Sequence, residues 1–303
     1  MPLEKSSYGD MQELTALVLV TIVSVNALRK PVAVKDLGFL AQQRISDGFV
    51  APRGKFRYLV GLSFKNRDGS HYWCGGAIID RHWILTAAHC TNEGEFVTIY
   101  YGAHNRKKAA FTHRVMWKDW KQHENFDSYI LSCDISLIRT PYIRYENGVE
   151  SARLPGAESN VLTNKLGVVS GWGKTFQSKD IVDILTCINV TIVDSAPCDR
   201  YYGSLLFTDD HICIMSASSS KGSPCSGDSG GPLILYNGEI LVGIVSYGST
   251  EGCKAHLPLA LTRVTSYMDW IAKQMETGNA ACSILGFRIR HSILFLLYTL
   301  IKY

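Results

Sequence analysis

Short segments rich in β-branched and aromatic residues, separated by turn-forming residues, run through most of this 303-residue chain. Examples lie at residues 96–101, 167–170, 188–193 and 240–247. Asn-Gly pairs at 147–148 and 237–238 stand between such segments. Because this spacing is typical of many short antiparallel strands, residues 45 to about 265 are predicted to form an all-β barrel or sandwich. Residues 265–275 follow a helical pattern instead.

The composition excludes few functions. The chain is 46% hydrophobic and 19% charged and has a net charge of +4, which suits a globular fold of two packed halves. One basic and aromatic stretch, residues 117–121, could bind nucleic acid. Since no basic field extends around it, a solvated loop is favoured and no nucleic-acid partner is expected.

Both ends of the chain differ from its β-rich middle. Residues 16–27 form an apolar run ending in small residues, which favours a secretory signal peptide over residues 1–27, with a core helix or strand as the alternative. The tail, residues 277–303, contains the apolar run 293–301, which is too short to span a bilayer as a helix. The tail weakly resembles a GPI-attachment signal, but an unstructured or loosely docked tail of unknown role is favoured over membrane association.

Three motifs supply a nucleophile, a base and a carboxylate. His89 lies in the sequence LTAAHC, Asp134 begins DISLI, and Ser229 lies in GDSGGP. A serine hydroxyl is a poor nucleophile at neutral pH, so a histidine must accept its proton and an aspartate must orient that histidine. Taken singly, each of these residue types is more often structural. The glycines beside Ser229 let the backbone turn tightly and aim its N–H groups at the atom under attack.

Three further motifs connect the chain to one known family. They are CGG at 74–76, SGWG at 170–173 and SYG at 246–248. With them, residues 44–276 resemble the chymotrypsin-like (trypsin-fold) serine proteases. The resemblance implies an all-β fold of two antiparallel six-stranded Greek-key β-barrels with a C-terminal helix. It implies a protease domain at residues 45–276, with barrels at about 45–155 and 156–264 and the helix at 265–276.

The resemblance also implies roles for the three motifs. His89 would accept the proton of Ser229 and pass it to the leaving amine, while Asp134 would hold the imidazole. The N–H groups of Gly227 and Ser229 would form the oxyanion hole, each contributing about 3 kcal/mol. The implied activity is a serine endopeptidase that acts on protein or peptide substrates without a cofactor. The alternative is a catalytically weak or inactive homologue that acts as a binding protein.

Residues 28–44 resemble an activation propeptide, because they are short, polar and basic and end in Arg44. By the family pattern, an activating protease would cleave after Arg44, and the new α-amine of Ile45 would pair with buried Asp228. The uncleaved chain is therefore predicted to be a zymogen. The two residues after Ile45 depart from the family pattern, and an ordinary loop at Arg44 is the alternative.

The nine cysteines support secretion into an oxidising, extracellular compartment. The resemblance pairs six of them, as Cys74–Cys90, Cys198–Cys213 and Cys225–Cys253. Cys133, Cys187 and Cys282 have no assigned partner, and a buried structural thiol is favoured for Cys133. No metal is predicted, because no cysteine spacing suggests zinc and the loop after Gly102 lacks the acidic oxygens that calcium needs. We expect a secreted monomer.

The resemblance also places the substrate-binding residues. They are Ser223, Ser246, Tyr247, Gly248 and Leu259. Ser223, six residues before Ser229, would form the base of the primary pocket, where a neutral residue leaves a basic substrate side chain unpaired. Leu259 falls where the brachyurin-like (Jonah-type) digestive proteases of arthropods have Asp, and segments 97–103 and 262–267 also resemble that subgroup. Cleavage after apolar residues, as in chymotrypsin- or elastase-like enzymes, is therefore predicted.

Overall fold

Antiparallel strands account for most of the structure, a computed structural model that describes residues 48–156, 161–175, 178–217, 222–236, 239–248 and 257–278. The strands of the first half are β1 (Phe49–Val50), β2 (Leu59–Asn66), β3 (His71–Asp80), β4 (Trp83–Thr86), β5 (Gly94–Tyr101), β6 (Phe111–Met116), β7 (Trp120–Gln122) and β8 (Ser136–Arg139). Those of the second half are β9 (Leu166–Gly171), β10 (Lys174–Thr175), β11 (Ser178–Ile181), β12 (Thr186–Val193), β13 (His211–Ser216), β14 (Pro232–Leu235), β15 (Ile240–Tyr247) and β16 (Leu259–Arg263).

These strands form two large antiparallel sheets. The first has the order β6-β5-β2-β3-β4-β8-β7 and makes a half-barrel. The second has the order β12-β13-β16-β15-β14-β9, and pairing of β9 with β12 closes it into a six-stranded barrel, with β1 added along β12. The predicted all-β class with a C-terminal helix is confirmed, and the structure refines it to one closed barrel and one half-barrel.

Side-chain alternation explains how the strands bury a core. In β5, Val97, Ile99 and Tyr101 are fully buried, and the residues between them are more exposed. Because successive side chains of a strand point to opposite faces, these three line the inner face of the half-barrel. Burying a side chain of this size contributes about 1.5–3 kcal/mol.

Helical segments are few. The first is the 3-10 turn Trp117–Asp119 just before β7, and the next is the short α-helix Ala196–Tyr202, which has Pro in its first turn. The C-terminal helix, predicted for residues 265–276, begins as a 3-10 turn at Val264–Tyr267 and continues as an α-helix over residues 268–278. Among the described residues, no helix is long and apolar enough to cross a lipid bilayer.

Two predicted disulfides, Cys74–Cys90 and Cys198–Cys213, are formed. Cys225 is also disulfide-bonded, and its predicted partner Cys253 lies outside the described residues. The thiols of Cys133 and Cys187 are free. Cys187 is buried, whereas Cys133 is partly exposed and so departs from the buried thiol that was predicted.

Several predictions concern residues that the structure does not describe. The signal peptide, the propeptide, Arg44, Ile45, Cys282 and nearly all of the tail lie outside the described ranges. Every described residue belongs to one compact unit that begins at Arg44.

Candidate active site

Strand pairing brings His89 and Asp134 together. Thr86 ends β4 and lies opposite Ser136, which begins β8. His89 follows Thr86 by three residues and Asp134 precedes Ser136 by two, so both emerge from the same end of this strand pair. The His89 ring nitrogen Nδ1 lies 2.8 Å from Asp134 Oδ2, and the His89 backbone N–H donates to Oδ1 at 2.8 Å.

The second sheet holds Asp134 from the other side. Asp134 is fully buried. The Ser246 hydroxyl, in β15, donates to Asp134 Oδ2 at 2.5 Å, and the Thr262 hydroxyl, in β16, donates to the Asp134 backbone carbonyl at 2.8 Å. Ser246 was predicted as a substrate-binding residue, but its side chain contacts the carboxylate. Thr262 was not predicted as a site residue, because its role depends on a contact between sheets that spacing along the chain does not reveal.

The pKa values of this pair shift in opposite directions. Burial alone would raise the pKa of Asp134, but the charge and hydrogen bonds of His89 and the hydrogen bond from Ser246 hold it below its usual value. Burial alone would lower the pKa of His89, but the charge and hydrogen bond of Asp134 outweigh burial and raise it. The pair therefore favours an ionised carboxylate that stabilises a protonated imidazole.

Ser229 lies in the tight turn before β14. Its carbonyl accepts a hydrogen bond of 2.8 Å from the N–H of Gly75, in β3, which ties the turn to the half-barrel. Gly230 has a φ of +74°, and a Cβ at this position would collide with the Thr86 hydroxyl. Only glycine fits there, so the sequence after the serine is dictated by the close approach of the two sheets.

Two backbone donors beside Ser229 are open. Within the described part of the chain, the N–H groups of Gly227 and Ser229 donate to no protein atom, whereas those of Asp228, Gly230 and Gly231 do. Gly227 has a φ of +98°, a backbone conformation that favours glycine. Two unpaired N–H groups so close together can bind an oxygen that develops negative charge.

The structure does not join His89 to Ser229 directly. Among the described residues no hydrogen bond links His89 Nε2 to the Ser229 hydroxyl, and Nε2 lies 3.6 Å from Cys90 Sγ. Such bonds are often long in unliganded active sites and tighten when substrate binds.

Cys74, His89 and Cys90 also place potential metal-ligating atoms within 4.8 Å of one another, but a disulfide joins the two sulfurs, which therefore supply no thiolate.

The carboxylate of Asp228 is held by backbone groups. Gly173 N–H donates to Oδ1 at 2.8 Å and Cys225 N–H donates to Oδ2 at 3.0 Å. Part of the residue is accessible, but protein atoms surround the carboxylate closely, and Cβ atoms at Gly171 and Gly173 would collide with it. Burial raises the pKa of Asp228 to about 6, although both backbone hydrogen bonds oppose this. No cation of the described chain forms an ion pair with it.

A small cavity of about 30 Å³ lies beside Asp228. Gly48, Cys187 and Ser223 also line it. Ser223, predicted as the base of the primary pocket, thus faces the space next to the buried carboxylate. Gly48 is the first described residue, so the chain enters the described fold at this cavity.

A wider groove of about 400 Å³ adjoins the other predicted substrate residues. We call it the tyrosine groove, formed by residues 129–131, 201, 202, 206, 247 and 248. Tyr247 and Gly248 belong to its wall, and Leu259 lies beneath Gly248, where an added Cβ would lie 3.3 Å from Leu259 Cδ2. The side chain of Leu259 is buried, with 6% of its surface exposed.

Comparisons with known proteins agree with this geometry. The family model described as Trypsin matches residues 45–271. The chain is 40% identical over 243 residues to Serine protease 1 of Drosophila melanogaster, covering 80% of this chain and 88% of that protein. It is 42% identical over 210 residues to Brachyurin of Leptuca pugilator, covering 68% and 88%. The solved structure of HL collagenase aligns with a TM-score of 0.69 at 35% identity, covering 77% of this chain and 99% of that one.

Proposed function

The chain belongs to the trypsin family of serine proteases, and we propose that it is a secreted serine endopeptidase that cleaves peptide bonds with His89, Asp134 and Ser229. The buried Asp134 carboxylate carries the proposal. It accepts two hydrogen bonds from His89, each of 2.8 Å, and a third from Ser246. A buried carboxylate that binds a histidine ring in this way is suited to orient the imidazole and to stabilise its cation.

The proposed reaction follows from this arrangement. The Ser229 oxygen attacks the substrate carbonyl while His89 Nε2 takes the hydroxyl proton, and Asp134 stabilises the resulting imidazolium. The carbonyl oxygen becomes negative and binds the N–H groups of Gly227 and Ser229. His89 then protonates the leaving amine, and a water molecule activated by His89 hydrolyses the acyl-enzyme.

Activation by cleavage after Arg44 would complete the site. Ile45 stands three residues before Gly48, which lines the cavity beside Asp228. Three extended residues span about 10 Å, so a new α-amine at Ile45 could reach the carboxylate. Asp228 precedes Ser229 and follows Gly227, so an ion pair there would fix the oxyanion hole directly. An uncleaved chain lacks this cation and would be a zymogen.

The proposed substrates have apolar side chains before the cleaved bond. Ser223 and Leu259 are neutral, and no carboxylate lines the tyrosine groove among the described residues. The hydroxyl of Tyr202 donates to the Pro258 carbonyl at 2.6 Å and that of Tyr247 to the Leu206 carbonyl at 2.7 Å. Because these hydroxyls are engaged, their rings present apolar surface to a bound peptide.

A peptide library tests this preference. We expect cleavage after Phe, Leu, Met or Ala to exceed cleavage after Arg or Lys, because a basic side chain in the tyrosine groove would find no counter-ion there. Leu259→Asp should raise the relative rate after Arg or Lys, whereas Leu205→Asp, at an exposed leucine, should leave the profile unchanged. A parent profile dominated by Arg and Lys would show that the assigned pocket is wrong.

A further inference from the structure

A row of three polar side chains lies beneath His89. Thr86 in β4 pairs with Ser136 in β8, and Ser136 pairs with Gln122 in β7. Directly opposed residues of antiparallel strands project from the same face of the sheet, so the three side chains stand side by side. Thr86 and Ser136 are fully buried. Buried polar groups need hydrogen-bond partners, so the hydrogen bonds of these side chains indicate which part of the site they hold in place.

Gln122 acts on the peptide group that precedes His89. Its side-chain Nε2 donates to the Ala88 carbonyl at 2.8 Å, and the Thr91 N–H donates to the same oxygen at 2.9 Å. A carbonyl oxygen has two lone pairs, so these two donors satisfy it. The Gln122 amide is thus the donor from a neighbouring strand that helps to fix this carbonyl.

The same peptide group also contacts the catalytic carboxylate. The Ala88 carbonyl and the His89 N–H belong to one planar peptide unit, and that N–H donates to Asp134 Oδ1 at 2.8 Å. Gln122 therefore holds the oxygen end of the unit and Asp134 holds its nitrogen end. Because the unit is rigid, movement of the carbonyl would tilt the N–H away from the carboxylate.

Ser136 supports this arrangement through Thr91. The Thr91 hydroxyl lies 3.0 Å from both the Ala88 carbonyl and the Ser136 hydroxyl, and the Ser136 hydroxyl lies 3.2 Å from the Lys121 carbonyl. Each hydroxyl has one proton to donate. Since the Ala88 carbonyl is already satisfied, donation from Thr91 to Ser136 and from Ser136 to Lys121 satisfies every group in turn. The turn that carries His89 is thereby tied to both β7 and β8.

We propose that Gln122, supported by Ser136, is a positioning residue for His89. The inference rests on the proposed protease function. Gln122 contacts neither substrate nor the reacting atoms, and it acts by clamping the peptide unit that aligns His89 with Asp134. Its loss should weaken both His89–Asp134 hydrogen bonds, and with them the raised pKa of His89.

Gln122→Met tests the proposal, because it removes the donor and keeps the length of the side chain. Active sites are counted by fluorophosphonate labelling of the cleaved protein, and kcat, KM and the pH dependence of kcat/KM are measured per active site. We expect kcat to fall about tenfold with KM unchanged, since slight misalignment of catalytic groups slows chemistry more than binding. The acid limb of the kcat/KM profile, where activity falls as His89 becomes protonated, should move to lower pH because the pKa of His89 would be lower. Gln274→Met, on the C-terminal helix, is the matched control and should match the parent.

A merely structural glutamine gives a different result. If Gln122→Met lowers only the thermal midpoint, while kcat per active site and the acid limb equal those of the parent, the proposal is wrong. Ser136→Ala provides a second variant should Gln122→Met not fold, and it should shift kcat and the acid limb in the same directions by a smaller factor. A parent that cannot be labelled would instead refute the protease function, so the two failures are distinguishable.

Discussion

Asp134 is the residue on which both sheets converge. The half-barrel supplies its hydrogen bonds from His89, and the barrel supplies those from Ser246 and Thr262. Because Asp134 is fully buried, loss of any of these hydrogen bonds should be strongly destabilising, since water cannot replace the missing partner of a buried charge. The electrostatics of His89 are therefore set by contacts between sheets.

The raised pKa of His89 predicts how activity depends on pH. In the proposed reaction His89 must be neutral to accept the serine proton, so kcat/KM should fall as pH decreases through the pKa of His89. Because Asp134 raises that pKa above the ordinary 6.5, the acid limb should lie above pH 6.5. A pH profile of the cleaved protein measures it, and a limb at or below 6.5 would contradict the account of the His89–Asp134 pair.

At the scale of elements, the loop before β8 combines function with backbone strain. Leu131 has a φ of +53° and Cys133 a φ of +50°, although neither is glycine. This left-handed region costs a residue with a Cβ roughly 1 kcal/mol, less for Asn. Cys133 directly precedes Asp134, and Ile135 N–H donates back to its carbonyl at 2.8 Å. The strained loop thus positions Asp134 two residues before β8 begins.

Cys133→Asn should relieve part of this strain. Asparagine tolerates the left-handed conformation better than cysteine, so the free energy of unfolding should rise by about 0.5–1 kcal/mol. Chemical denaturation under conditions that leave the disulfides intact measures the change in the free energy of unfolding. Ser132→Asn, at the neighbouring position without a positive φ, is the control and should not stabilise the protein. Equal or lower stability of Cys133→Asn would show that the observed backbone conformation does not limit stability.

Local patterns predicted most elements but not the contacts between them. The expected strands at 96–101 and 240–247 correspond to β5 and β15, because alternation and turn residues act over a few positions. The motifs around His89, Asp134 and Ser229 could also be recognised from the sequence alone, because each is a short run of consecutive residues. Thr262 and Gln122 were not found, since their partners are far away in sequence and common polar residues give no signal of such contacts.

For the whole molecule, the buried Asp228 carboxylate predicts a stability difference between the uncleaved and the cleaved chain. Its pKa rises from 3.8 to about 6 on folding, so folding favours the protonated form. As pH increases from 3.8 to 6, the uncleaved chain should lose about 3 kcal/mol of stability from this group. A cation from Ile45 after cleavage would offset that loss.

The free energy of unfolding of the uncleaved and the cleaved chain, measured at several pH values between 4 and 7, tests this expectation. The cleaved form should become progressively more stable than the uncleaved form between pH 4 and 7. Asp228→Asn, which removes the charge, should abolish this pH dependence of the difference. A constant difference in both proteins would show that the new terminus does not pair with Asp228.

Fluorophosphonate labelling of Ser229 before and after cleavage at Arg44 tests the proposed function most directly. The cleaved protein should be labelled at Ser229 at least about tenfold faster than the uncleaved protein, because the proposed ion pair between Ile45 and Asp228 would order the oxyanion hole. His89→Ala in the cleaved protein should abolish rapid labelling, since Ser229 would lose its base. Absence of labelling after confirmed cleavage would contradict the protease function and favour a homologue that only binds its partners.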